Sequence, residues 1–156
     1  MTLLEKINPS PTWKPEYEKP LSDSEVSQLL TDEVQDIRKQ VIAEAMASEH
    51  VDPWFLEIHL LEVERLAMSL CQQYPEANLD LVDLSVWFHD VSRLRGQDEA
   101  HDMLGAQEAR EILTAAQFSE SDIEMVADAC ASHRCKERRP ETLEAKILAT
   151  ADALSH

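Results

Sequence analysis

The chain has 156 residues, 44% hydrophobic and 29% charged, a balance that suits one globular domain with a real core and not a disordered tract. A net charge of −17 argues against duplex nucleic acid or an anionic membrane surface as the main partner, and two glycines, Gly96 and Gly105, leave no glycine-rich phosphate loop. Three cysteines (Cys71, Cys130, Cys135) without a C-x-x-C pair, no signal peptide and no long apolar span suit reduced thiols in the cytoplasm.

Residues 1–21 carry Pro9, Pro11, Pro15 and Pro20 with little periodicity, which predicts an extended arm packed through Trp13 and Tyr17. Residues 22–156 read as a single helical domain. A first helix is expected from Asp23 to Ser48, because Val26, Leu30, Val34, Ile37, Val41 and Ala45 recur at helical spacing. Asp52-Pro53 reads as an N-cap with proline in the first turn. The following stripe of Leu56, His59, Val63, Leu66 and Leu70 predicts a helix that ends before Pro75.

A third helix is expected from Asn78–Asp80 to about Leu94, apolar on nearly every side and therefore central. A fourth runs from Glu99 to Ala116. Ser121-Asp122-Ile123-Glu124 matches a capping box and opens a fifth, to Cys135. After the charged stretch from Lys136 to Arg139 and Pro140, a last helix covers Glu141 to Leu154. Trp54, Trp87 and Phe88 are expected in the core. The fold class is all-α, a bundle of five to seven helices.

The chemistry concentrates on the inward faces. His89-Asp90 sits inside the apolar run Leu84-Ser85-Val86-Trp87-Phe88-His89-Asp90-Val91, where a bare ion is costly. His59, His101, His133 and Asp152 lie on the apolar stripes of other predicted helices. Each buried histidine alone needs a partner, whereas a shared divalent metal satisfies all of them together. Gly105 and the alanines around Asp152 allow the close helix approach such a site requires. Mixed imidazole and carboxylate ligands suit Mn, Fe, Co, Ni or Zn better than Ca. A bound cation would also reverse the local sign, so a small phosphorylated substrate stays compatible with an acidic chain.

The ordered set His59, His89-Asp90, Asp152 resembles the HD-domain superfamily of metal-dependent phosphohydrolases. So do His101-Asp102-Met103-Leu104-Gly105-Ala106-Gln107-Glu108-Ala109, Ser132-His133-Arg134, and the stretch from Pro140 to Leu154. The resemblance covers residues 50–156. It departs at Val91-Ser92, where many members have Ile-Gly.

What the resemblance implies is a metal held by His59, His89, Asp90 and Asp152, and cleavage of a small phosphate ester, with nucleotides among the candidates, by a metal-activated water. Asp90 or Asp152 would take the proton. His101 and His133 would hold a second metal or touch the substrate phosphate; one ion is the favoured expectation and two the alternative. Arg93, Arg134 and Lys146 are the expected phosphate-binding cations. With four residues after Asp152, where such domains commonly continue, part of the pocket wall is expected to be missing or to come from the N-terminal arm or from a second subunit in a homodimer. A di-iron oxygenase on the same ligand set, or a non-catalytic metal or ligand-binding module, are the competing readings.

Overall fold

The computed structural model describes residues 20–155, so the arm with Trp13 and Tyr17 lies outside the described residues. Seven α-helices and two short turns of other pitch follow in order, with no strand among the described residues. They are α1 (Asp23–Leu29), α2 (Asp32–Ala47), a π-helical turn (Phe55–Leu60), α3 (Leu61–Gln73), α4 (Leu79–His89), a 3₁₀ turn (Val91–Arg95), α5 (His101–Ala115), α6 (Glu120–Ser132) and α7 (Leu143–Leu154).

The first expected helix is two helices. Ser22 and Glu25 form a reciprocal capping box that starts α1, and the chain turns extended at Leu30 and Thr31 before α2. The Thr31 amide is held there by Asp80 Oδ1 at 3.2 Å, at the start of α4. Val26, Leu30, Val34, Ile37, Val41 and Ala45 are nonetheless all buried in one cluster. Their spacing survives the break, which is why periodicity alone hides it.

α4 is the centre of the bundle, packed against α2, α3, α5, α6 and α7. Asn78 caps its start, and every residue from Leu81 to His89 is buried. Leu84, Trp87 and Phe88 face one core cluster while Val82 and Val86 face another. The helix stops at His89, not at Leu94. Asp90 leaves the helical conformation and Val91–Arg95 tighten into the 3₁₀ turn, ended by Gly96 at φ 79°. Val91 and Leu94 remain core residues, so the apolar pattern does not mark this change.

Two further corrections concern ends and exposure. The cap of α6 is Ser119, whose side chain accepts from the Asp122 amide, not Ser121. Trp87 and Phe88 are fully buried as expected, but Trp54 is 58% exposed, because it lies in the turn before the π-helical segment rather than on a helix stripe.

α5 crosses the end of α4 at Gly105. A Cβ there would run into the carbonyl oxygen of Phe88 and come within 3.4 Å of that of His89. Glycine is what lets α5 bring its first residue, His101, up to Asp90.

A second buried polar group braces α4. Arg38 on α2 grips Glu64 on α3 in a two-pronged pair at 2.8 and 2.9 Å, and Trp87 Nε1 donates to Glu64 Oε2 at 2.8 Å. Asp83 is fully buried beside them. Burial, then the charge of Glu64, pushes its carboxyl well above the usual carboxylate range, so it is held neutral.

Candidate metal centre

Five separate segments deliver the histidines and carboxylates to one place. The π-helical turn presents His59, α4 ends on His89, Asp90 caps that helix, α5 begins with His101, α6 is capped by His133, and α7 carries Asp152. The ligand atoms of His59, His89, Asp90 and Asp152 lie within 4.8 Å of one another, as do those of Asp90, His101 and His133.

Asp90 joins the two groups. Its Oδ2 lies 2.5 Å from His59 Nε2 and 3.3 Å from His89 Nε2, while Oδ1 lies 3.3 Å from His101 Nε2. Asp152 Oδ1 is 3.5 Å from the Nε2 atoms of both His59 and His89. The rings of His89 and His133 meet edge to face, with centroids 5.0 Å apart.

The orientation of the rings is fixed from behind. His89 Nδ1 donates to the Val86 carbonyl, His101 Nδ1 to that of Asp98 at 2.9 Å, and His133 Nδ1 to that of Cys130 at 2.6 Å. For His59 the partner is Ser155 Oγ at 3.3 Å. Ser155 donates its own proton to the Asp152 carbonyl at 2.8 Å, so it accepts from His59 Nδ1. A carbonyl cannot donate, so each neutral imidazole keeps its proton on Nδ1 and aims the Nε2 lone pair inward. This is the outer support that metal-bound histidines require.

The donor set fits a divalent transition metal. His89 Nε2 is fully buried and makes no hydrogen bond among the described residues. Edges of a coordination polyhedron with bonds of ~2.1 Å are about 3.0–3.4 Å long. The N···O separations of 3.3–3.5 Å around His89 and Asp152 fall close to that range.

Without a cation the charges lock on one another. Burial opposes a charged His89, but Asp90 and Asp152 outweigh it and raise the imidazole to about 10. Burial works against the charge of Asp90 too, yet His89 and His59 hold it well below the ordinary carboxylate range. Asp152 is lowered as well; burial again opposes, and His89 prevails. Burial and the nearby charge of His89 push His133 down to about 4. A metal at this point would take the place of the His89 proton.

The expected phosphate-binding cations lie at different distances from this cluster. Arg93 is at its edge, with Nη1 3.3 Å from Asp90 Oδ2, Nε 3.1 Å from Asp98 and its guanidinium stacked 5.1 Å from the Phe55 ring. Arg134, next to His133, faces Asp102 with 3.6 Å between Nη1 and Oδ1. Lys146 is exposed on α7. It lies roughly 9 Å before Asp152 along the axis and about 120° round from it, outside the cluster. Ser155 was not anticipated, since a serine after a helix has no distinguishing spacing. The sequence signal of the Arg38–Glu64–Asp83 group is charged residues on inward helix faces.

Comparison with known proteins follows the same residues. The family model described as HD domain matches residues 56–156. A crystal structure of a predicted HD superfamily hydrolase from an uncultured Thermotogales bacterium aligns with a TM-score of 0.72 at 24% identity, covering 86% of this chain and 74% of that one. Comparison with curated proteins found no match. The solved structure shares the fold, and the family match spans His59, His89, Asp90, His101, His133 and Asp152: the chain belongs to the HD domain family.

Proposed function

We propose that the protein is a metal-dependent phosphohydrolase that cleaves a small phosphate ester, with nucleotides among the candidate substrates. The observation that carries this is the convergence of four Nδ1-anchored imidazoles and two carboxylates on one site. His59, His89, Asp90 and Asp152 would hold the ion. A divalent cation bound there supplies a water that ionises near neutral pH and polarises a phosphoryl oxygen.

The chain's own groups do the rest. Asp152 is half-buried whereas Asp90 is buried, so Asp152 is the better placed of the two to take a proton from the attacking water. Arg93 borders Asp90 and would bind a phosphate oxygen. Arg134 is the next cation along the His133 side.

The sequence reading favours one ion. The division of Asp90, Oδ2 toward His59 and His89 and Oδ1 toward His101, supports a second ion held with His133. A paired site would also suit a di-iron oxygenase, whose signature would be oxygen consumption without phosphate release. The free cysteines, and the absence among the described residues of a helix long and apolar enough to cross a membrane, support a cytoplasmic setting as part of this proposal.

The test is elemental analysis of the purified protein, followed by a phosphate-release screen over phosphomonoesters and nucleotides with that metal restored. His89→Ala and Asp90→Ala should lose both metal and turnover. Full activity in either variant overturns the reading.

A further inference from the structure

A cleft of about 470 Å³ opens beside the metal centre and shares His59 and Arg93 with it. That volume is within the range of small-molecule sites. Its outer wall carries Glu49, Asp52, Trp54 and Ile58. Trp54 is 58% exposed and Ile58 54%, so an indole and an aliphatic chain stand in solvent within a few residues of a candidate metal ligand. The carboxylates of Glu49 and Asp52 are exposed and make no ion pair among the described residues.

The arginine that lines the cleft is turned toward the metal centre, where it would bind the substrate phosphate. Arg93 faces Asp90 on one side and Asp98 on the other. Beyond it the cleft offers an aromatic face and the two exposed carboxylates of Glu49 and Asp52. Such a wall repels a second phosphate or a carboxylate on the substrate. It attracts a positive charge, because an ammonium is held both by the indole quadrupole and by nearby carboxylates.

We propose that this cleft receives the alcohol portion of a phosphomonoester and selects an alcohol bearing an ammonium group, through Trp54, Glu49 and Asp52. The inference rests on the phosphohydrolase reading for the direction of the substrate, with phosphate at the metal centre and alcohol in the cleft. In the reaction, water oxygen bonds to phosphorus, the ester P–O bond breaks, and the alcohol leaves with a proton as inorganic phosphate forms.

The test uses the full chain loaded with its metal and a matched pair of esters, phosphocholine and its neutral carbon isostere 3,3-dimethylbutyl phosphate. Binding is measured by calorimetry and phosphate release as kcat/KM. Phosphocholine should bind about tenfold more tightly than the isostere, with kcat/KM favouring it where turnover occurs. Trp54→Ala, and separately the double variant Glu49→Gln/Asp52→Asn, should bring the ratio toward one. Equal binding of the two esters, or a preference that both variants retain, overturns the cleft assignment. Phosphate release from both esters at equal rates overturns it while leaving the hydrolase reading intact. Preferential binding of phosphocholine without phosphate release from any ester supports the cleft assignment and overturns the hydrolase.

Discussion

Ser155 Oγ lies 3.3 Å from Nδ1 of His59, a residue 96 positions earlier in the chain, and the same hydroxyl donates to the Asp152 carbonyl. One serine thus orients one candidate ligand and ties the end of α7 to the helix turn that bears it. Removing it should loosen the metal without removing a ligand. Ser155→Ala should weaken metal affinity by about 10-fold or more, measured by calorimetric titration of the metal-free protein. Unchanged affinity would mean that Ser155 does not orient His59.

Asp90 supports a stoichiometric prediction. Its Oδ1 faces His101, while Oδ2 faces His59 and His89. Wild-type protein should carry two metal equivalents. His133→Ala should carry one, because the ring it removes belongs only to the group of Asp90, His101 and His133. Asp90→Asn should carry none and lose at least about 10³-fold in kcat/KM, about 4 kcal/mol of transition-state stabilisation. Elemental analysis of the three proteins decides it; one equivalent in wild type returns the site to the single-ion arrangement.

The six ligand candidates were legible because each breaks an otherwise apolar stripe, and a buried imidazole or carboxylate at helical spacing has few explanations. Gly105 was legible for the same reason, as a small residue on the face shared with His101. The geometry between them was not. Whether Asp90 faces one group or two depends on the departure from helix at His89–Asp90, and Val91 and Leu94 keep the hydrophobic pattern running through it. The break at Leu30–Thr31 was hidden likewise. The π-helical turn at His59 left no mark in composition, since Phe55, Leu56 and Leu60 suit an ordinary helix equally well.

Gly105 offers a test of how α5 is placed. In Gly105→Ala the new methyl meets the Phe88 carbonyl, and backbone atoms must shift to admit it. The expected cost is about 1–3 kcal/mol, seen as a lower Tm. Because α5 starts at His101, its displacement should also empty the second metal position while His59, His89 and Asp152 keep the first. A variant with wild-type Tm and two equivalents of metal would show that α5 can slide without penalty.

The charge state of His89 makes a prediction about pH. In the metal-free protein its folded value is raised from 6.5 to about 10. Its ion pairs therefore stabilise the fold in full below the unfolded value, and that contribution fades as pH climbs through about 10. Metal-free protein should lose stability more steeply from pH 6.5 to 10 than metal-loaded protein, which has no proton on that nitrogen to lose. On the acid side, Asp90 and Asp152 are depressed, so their contribution is present above 3.8 and lost as pH falls below it. His133, lowered to about 4, adds a loss between 6.5 and 4, because the unfolded chain takes up a proton that the fold refuses. Thermal melts across this range, with and without metal, check the sign of each limb. A metal-free protein as stable at pH 10 as at 6.5 would remove the His89–carboxylate pairing from the account.

The Arg38–Glu64–Asp83 group sets two substitutions against each other. Glu64 answers both Arg38 and Trp87 in a fully buried position. Glu64→Ala removes the carboxylate to which Arg38 and Trp87 are hydrogen-bonded and should cost about 3–5 kcal/mol. Asp83 is held neutral, so the folded state keeps a proton that the unfolded chain gives up above 3.8. A carboxyl whose folded value is raised detracts from stability as pH rises, the opposite of Asp90. Asp83→Asn replaces a neutral acid by a neutral amide of nearly the same shape and removes that penalty. At pH 7 the variant should therefore be as stable as wild type or more so, with the difference shrinking as pH falls toward 4. A loss comparable to that of Glu64→Ala would show that Asp83 is ionised in the fold and that Arg38 is shared between two carboxylates.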